Sequence, residues 1–523
     1  MKKLEESDEN FIGYLKNGSI TEGFVVRLLK NTHIEDKLRI GDFIVIEGHV
    51  YRFFGIVDDL RILSFTDDVF FDPPESELQK LALEGSFLYS EAVLAPYIMY
   101  SKAFDTISQI KTIPEHFSKA RLASEEDIEA IFKKGNKPFF VGMPLTKEIE
   151  VHIDLEKLCL RNNGIFGITG SGKTVLAKII FSGIIKHDVS SLLIFDMHNE
   201  YGMSARDERG VTFKALKYLF RDRIKVFDVN RGNKDADSPI IIPYKFIEPE
   251  DLELLSSELS FSEKSLETAF IIERKKRENW LKYILNLQGE TEEKVTQEAD
   301  FLGVNASALL ALVRHASKLS KLDFLVDTEE ENTIEEMLKY LKAHRSVIVQ
   351  FTGKYQSNRL AYFLVSNVIT RRIHSRYENM PEEELKENRV VIVIEEAHKF
   401  LSTSFKEKNI FGTIAREMRK FNVTLFVIDQ RPSDIDSEVL SQVGTRFTLQ
   451  LLDERDIDAV FQGVGGGNRL KKILRSLQPR EVLVAGFSVP MPIALRVREY
   501  GEGFFDEMQV SKSGTDDIKD IYG

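Results

Sequence analysis

Gly167-Ile168-Thr169-Gly170-Ser171-Gly172-Lys173-Thr174 is the stretch on which the reading of this chain turns. It fits the spacing G-x-x-x-x-G-K-[ST] in full. Glycines at Gly167, Gly170 and Gly172 permit a tight loop whose backbone N–H groups, including those of Thr169 and Ser171, point inward at phosphate oxygens. Lys173 supplies a point charge for the β- and γ-phosphates, and Thr174 offers a hydroxyl to Mg²⁺. The apolar run 165–168 reads as a strand entering the loop. Residues 173–185 read as a helix whose positive N-terminal end faces the same phosphates. A chance match among 31 glycines is the plain alternative, and the strand before and helix after weaken it. ATP with Mg²⁺ is the cofactor this expects.

Outward from the loop, short apolar runs alternate with helical patterns. Residues 191–195, 347–351, 390–394 and 424–428 are too short and too apolar for amphipathic helices. They read as buried strands of a mostly parallel sheet covered on both faces, which makes the fold class α/β. The run Val390-Val391-Ile392-Val393-Ile394 ends in Glu395-Glu396. In such a sheet the carboxyl ends of the strands gather around the ligand crevice. Glu395 is assigned to the Mg²⁺ shell and Glu396 to orienting or deprotonating the attacking water. A solvated strand end is the bland alternative. Run 424–428 leads to Asp429-Gln430-Arg431, where Gln430 is placed to sense the γ-phosphate. Run 191–195 leads to Asp196-Met197-His198-Asn199-Glu200, which ordinary loop chemistry would also explain. His198 and His398 are read as structural or solvated, since phosphoryl transfer does not require histidine.

The remainder organises around this core. A net charge of −12 argues against a surface coated for nucleic acid, though not against a local basic channel. Cys159 is the sole cysteine, so no disulfide forms within the chain and no cysteine metal site exists. The charged start MKKLEESDENF lacks a signal peptide's apolar core, and no apolar run approaches a membrane span, so a cytoplasmic location is expected. Glycine-punctuated strands before residue 100 suggest a small β-barrel or sandwich. The expected divisions are an N-terminal barrel over 1–110, a linker over 111–150, a sheet core over 151–247 and 346–500, a helical insertion over 248–345, and a polar acidic tail over 501–523.

Several motifs in order resemble one known family. Gly164-Ile165-Phe166-Gly167 before the loop, residues 196–201, Glu395-Glu396-Ala397-His398, Asp429-Gln430-Arg431-Pro432-Ser433, residues 414–421 and residues 439–442 are similar to the HerA branch of the HerA/FtsK ATPases. The resemblance covers most of the chain. It implies a RecA-like P-loop ATPase core and an N-terminal barrel like that family's. It further implies a homo-hexameric ring, a DNA translocase or helicase, with double-stranded DNA in its pore. Family members often act with a nuclease, either NurA in DNA-end resection or another effector in anti-phage systems, and such a partner would dock on the barrel. The arginine completing each active site comes from the neighbouring subunit, and the matching positions are Arg416 and Arg419, with Arg431 a weaker match. Three residues apart on a helix, Arg416 and Arg419 would share a face. A solvated basic face is the alternative for both. The family's first acid after this strand is usually Asp; here it is Glu395, which leaves the division of labour with Glu396 open.

The residues themselves say less about DNA. Basic clusters lie at 274–277 and 314–321, with Lys406 and Lys408 after the acid pair, and Lys354 and Arg359 beside another loop. Most such clusters are simply solvated helix faces, although a ring of six subunits would multiply any one pore-facing Lys by six. No zinc-finger or helix-turn-helix pattern occurs, which disfavours sequence-specific recognition. A second function class stays open: a nucleotide-regulated ring scaffold that assembles and controls an effector enzyme while translocating little itself.

Overall fold

A computed structural model describes residues 10–29, 34–64, 88–202, 205–206, 212–328, 330, 332–402, 410–464 and 467–508. They divide into two compact units. One comprises residues up to Asp154 together with Thr445–Arg498, and the other comprises Leu155–Gly444 and the residues from Glu499 on.

The first unit contains the barrel. Strands β1 (Phe11–Ser19), β2 (Gly23–Leu28), β3 (Phe43–Glu47), β4 (Tyr51–Ser64), β5 (Leu88–Ser101), β6 (Thr106–Gln109) and β7 (Lys119–Leu122) run in the order β2-β1-β7-β3-β4-β5-β6. An additional β2–β5 pairing closes six of them into a barrel, with β6 hanging on β5. Closure removes the exposed edges that short strands would otherwise present. Alternate side chains, among them Ile12, Phe24, Val26, Ile44, Ile46, Phe53 and Leu94, fill the interior. The stretch read as a linker is folded: β7 sits between β1 and β3, and a helix follows at Glu125–Phe132. Ser124 and Asp127 form a capping box at its start. Several of its charges are paired. Arg121 donates to Glu47 at 2.7 Å and also holds the buried Asp127. The same unit carries five antiparallel strands, β8 (Pro138–Pro144), β9 (Val151–Asp154), β16 (Val443–Thr448), β17 (Glu481–Gly486) and β18 (Ile493–Val497), ordered β16-β17-β18-β8-β9.

The second unit is the α/β core. Its strands are β10 (Asn162–Phe166), β11 (Ser191–Asp196), β12 (Ile224–Asp228), β13 (Ser346–Gln350), β14 (Val390–Glu395) and β15 (Val423–Asp429). All five neighbouring pairs are parallel, in the order β12-β13-β11-β14-β15-β10. Every residue of β11, β13, β14 and β15 is buried, as an apolar strand covered on both faces requires. Register carries Phe166 level with Asp429, and Glu395 level with Ile428. The carboxyl ends of β10, β15, β14 and β11 therefore share one edge. Helices fill the expected insertion, including Pro249–Leu254, Glu263–Lys276, Trp280–Asn286, Glu292–Leu302, Ala306–Ala316 and Asn332–Lys342. Its root is tied to the core helix Arg359–Glu378: Asn367 donates to the buried Asp251 at 2.6 Å, and Arg371 does so at 2.8 Å.

Glu502–Met508, read as the start of a polar tail, forms a helix that buries Phe504, Phe505 and Met508. The acids between these apolar residues hid their shared face; residues 509–523 lie outside the described residues. Among the described residues no helix is long and apolar enough to cross a membrane.

Candidate active site

The site is built where β10 gives way to the glycine loop and the helix Lys173–Lys186. Gly170 (φ +79°) and Gly172 (φ +107°) occupy the left-handed region, which a side chain at either position would strain. Gly167 N–H donates to the Asp429 carbonyl at 3.2 Å and pins the loop to β15. Ser171 Oγ donates to the Ile168 carbonyl at 2.7 Å and closes the turn from within. Lys173 Nζ lies across the loop, 2.8 Å from the Gly167 carbonyl and 3.0 Å from that of Ile168. Burial pulls its pKa down against the raising influence of Glu396, Asp429, Glu395 and Glu200.

The neighbouring strand ends bring the remaining groups to this edge. Thr169 Oγ1 donates to Gln430 Oε1 at 2.9 Å, and Gln430 Nε2 donates to Glu396 Oε1 at 3.3 Å. A single glutamine thus joins the phosphate loop to the second acid. Glu396 itself adopts a left-handed backbone (φ +51°), an uncommon conformation for a non-glycine residue. That bend separates the two acids of the pair. Glu395 is only 5% exposed; its Oε1 accepts from the Tyr201 hydroxyl at 3.3 Å, while its Oε2 is buried with no hydrogen-bond partner. Burial, then the charges of Asp196 and Glu200, push its carboxyl well above the usual range. The Tyr362 hydroxyl brackets the Glu395 backbone, accepting its N–H at 3.2 Å and donating to its carbonyl at 3.1 Å.

Sequence reasoning assigned no role to several groups here. Asp196, wholly buried at the end of β11, accepts the backbone N–H groups of Glu200, Tyr201 and Gly202 at 2.7, 2.9 and 3.0 Å. It folds the turn that delivers Glu200, whose Oε2 accepts the Thr174 hydroxyl at 2.6 Å. Lys178, one turn into the helix, is buried near the same acids. Burial lowers its pKa, opposed by Glu200, Asp196 and Glu395. His398 is held within the site, as the structural rather than the solvated reading has it. Its Nδ1 lies 2.9 Å from Asp429, its backbone N–H donates to the same carboxylate at 2.6 Å, and its Nε2 is 3.8 Å from Glu396. The signal for these groups was present in the sequence, since each acid follows an apolar strand, but the cross-strand partners were not. His198, by contrast, is exposed.

The two arginines expected to act together lie on different segments. The α-helix Ile410–Glu417 ends just after Arg416, and a 3-10 turn Met418–Phe421 carries Arg419. The continuous helical face expected for them is therefore interrupted. Arg416 is half-buried; the Arg419 side chain, Lys406 and Lys408 lie outside the described residues. Some of the basic residues noted for DNA have local partners. Lys275 donates to the Leu302 carbonyl at 2.7 Å, Lys276 sits over the Tyr283 ring, and Lys354 pairs with Asp323 at 2.8 Å.

These residues fit ATP with Mg²⁺. Among the described residues no three acidic, histidine or cysteine side chains converge to hold a metal by themselves. Mg²⁺ needs no such cage: it keeps several waters and is bound through one or two carboxylates together with substrate phosphates. The Thr174 hydroxyl and the orphaned Glu395 Oε2 are suitable oxygen donors.

Comparison with known proteins finds relatives along most of the chain. Residues 139–373 match the family model described as "Helicase HerA, central domain". The chain is 25% identical over 514 residues to the "DNA double-strand break repair helicase HerA" of Sulfurisphaera tokodaii, covering 94% of this chain and 93% of that one. It is 23% identical to the protein of the same name from Sulfolobus acidocaldarius, over 89% of this chain and 90% of that one. Among solved structures, VirB4 of Thermoanaerobacter pseudethanolicus is similar at 15% identity and a TM-score of 0.46, covering 70% of this chain and 97% of that one.

Proposed function

The chain is a P-loop ATPase that is HerA-like over most of its length, and from that premise we propose that it is an ATP-driven motor on double-stranded DNA. In this reading six copies form a ring around the duplex, and a separate nuclease or effector docks on the N-terminal barrel. The observation carrying the proposal is that similarity to proteins named as DNA double-strand break repair helicases extends across 94% of the chain, barrel included.

The chemistry follows from the site. Backbone N–H groups of Thr169, Gly170, Ser171 and Gly172 cradle the phosphates, Gly167 anchoring the loop on Asp429, and Lys173 moves from its loop carbonyls onto the β- and γ-phosphate oxygens. Thr174 and Glu395 hold Mg²⁺, which when bound neutralises charge on those oxygens. Glu396 orients and deprotonates the attacking water. Gln430, in contact with both Thr169 and Glu396, reports the γ-phosphate to the rest of β15. Arg416 and Arg419 serve a neighbouring subunit's site. Such a finger is worth about 10³–10⁵ in rate, so isolated subunits should hydrolyse ATP weakly.

The test measures ATP hydrolysis with and without linear duplex DNA, alongside mass in solution. A hexamer stimulated by DNA, with stimulation falling steeply as salt rises, is the expected result. A hexamer with a basal rate indifferent to DNA would replace this reading with the effector scaffold.

A further inference from the structure

Glu200 stands where a metal-shell residue would be needed and has no other evident task. Its carboxylate receives the hydroxyl of Thr174, the loop residue that offers an oxygen to Mg²⁺, at 2.6 Å. The turn presenting it is tightly built. Asp196 accepts three successive N–H groups, from Glu200, Tyr201 and Gly202, and is wholly buried in doing so. Both Asp196 oxygens are engaged by backbone, so Asp196 holds the turn rather than the ion. Glu200 remains the acid that this turn delivers to Thr174.

A second, independent feature marks the same place. Glu395, 95% buried by its 5% exposure, carries an Oε2 without any hydrogen-bond partner, and its Oε1 contacts Tyr201, the residue next to Glu200. A buried carboxylate oxygen left unsatisfied is costly, and an ion or its water would relieve it. The buried Lys178 lies within electrostatic reach of Glu200, Asp196 and Glu395 and offsets part of their mutual repulsion.

We propose that Glu200 is a second acidic arm of the Mg²⁺ shell, exchanging the Thr174 hydroxyl for a magnesium-bound water while Thr174 and Glu395 face the ion. This rests on the reading of residues 167–174 as an ATP·Mg²⁺ site and is independent of DNA translocation. The partner of a metal shell that acts through water typically changes metal affinity about 10–100-fold when removed.

The experiment uses Mn²⁺ as the spectroscopic probe and ADP as the nucleotide, with the full chain. Mn²⁺ affinity in the ADP complex is read by electron paramagnetic resonance, and ADP affinity without metal by calorimetry. Glu200→Gln retains an oxygen to accept from Thr174 but removes the charge. It should weaken Mn²⁺ binding about tenfold and leave metal-free ADP binding unchanged. Glu200→Asp, which restores the charge, should recover part of the Mn²⁺ affinity. Unchanged Mn²⁺ affinity in Glu200→Gln overturns the proposal while leaving the ATPase reading standing. Loss of metal-free ADP binding would overturn it too, by showing that Glu200 only shapes the loop. Failure of the unsubstituted protein to bind Mn²⁺–ADP at all would remove the ATPase reading itself.

Discussion

Thr169 Oγ1 donates to Gln430 Oε1 at 2.9 Å, a contact spanning 261 positions of sequence between the phosphate loop and the end of β15. Gln430 passes the connection to Glu396 through its amide nitrogen. The strand order explains why this works: β15 lies between β10, which carries the loop, and β14, which carries the acids. A side chain leaving β15 is therefore the shortest bridge between them. Replacing Gln430 with Ala breaks the bridge without touching the phosphate cradle. The expected outcome is a lower kcat for ATP with KM little changed, by roughly 10-fold if about 1.4 kcal/mol of transition-state positioning is lost. Steady-state kinetics would measure this; a rise in KM at constant kcat would instead make Gln430 a binding residue.

The two acids should separate cleanly on substitution. Glu396→Gln keeps an acceptor for Gln430 and removes the base, so hydrolysis should fall by about 10²–10⁴ while ATP binding persists. Glu395→Gln should act chiefly through the metal. Glu395 is buried among other acids with its carboxyl pushed above the usual range, so its neutral isostere fits the site. Titrating Mg²⁺ in the ATPase assay distinguishes them. High Mg²⁺ should partly rescue Glu395→Gln and leave Glu396→Gln inactive, and equal rescue of both would exchange or merge their roles.

The core strands were legible because a strand buried on both faces has little choice of residue. Val390–Glu395 is five aliphatic residues and one acid, and the observed bounds extend the reading by a single position. Ile224–Asp228 was not legible, since Lys225 interrupts a run that is otherwise apolar and its neighbours carry irregular turns. The antiparallel strands Val443–Thr448 and Ile493–Val497 were missed for a related reason. Arg446 and Arg496 fall inside them and read as surface in one dimension. The phosphate loop was local and therefore readable. The Thr174–Glu200 and His398–Asp429 contacts depend on which strand lies beside which, information that residue spacing does not contain.

The barrel unit offers a stability test away from the nucleotide. Arg121 holds both Glu47 and Asp127, and Asp127 is 1% exposed at the start of its helix. Arg121→Met leaves the buried Asp127 only Arg52, at 2.9 Å, and the Ser124 cap, and should cost about 1.5–3 kcal/mol in denaturant unfolding of that unit. Burial pushes Asp127 upward, but its bonds from Arg121 and Ser124 prevail and hold its pKa below the ordinary value. A depressed folded value means the stabilisation is complete above the unfolded pKa and is lost as pH falls through the folded one. The substitution should therefore shrink the acid dependence as well as the stability; a variant as stable as the parent at neutral pH would show that Arg52 and Ser124 alone satisfy Asp127.

His398 gives the opposite pH sign in the second unit. Burial works against its charged form, yet the hydrogen bond and charge of Asp429, with Glu396 beyond, outweigh burial and the nearby Lys399, so its pKa is raised. The unfolded chain has the ordinary value near 6.5. A raised folded value makes the His398–Asp429 contribution fully present below the unfolded pKa and lost as pH climbs through the folded one. His398→Asn keeps a hydrogen-bonding group of similar reach but cannot carry charge. Thermal unfolding of both proteins from about pH 6 upward should show the parent's advantage largest at the acid end and shrinking as pH rises. A constant advantage would mean that His398 stays neutral and contributes by packing and hydrogen bonding alone. In that case Glu396, 3.8 Å from its Nε2, would work without a cationic neighbour at that nitrogen, and the pH profile of kcat would be the same in both proteins.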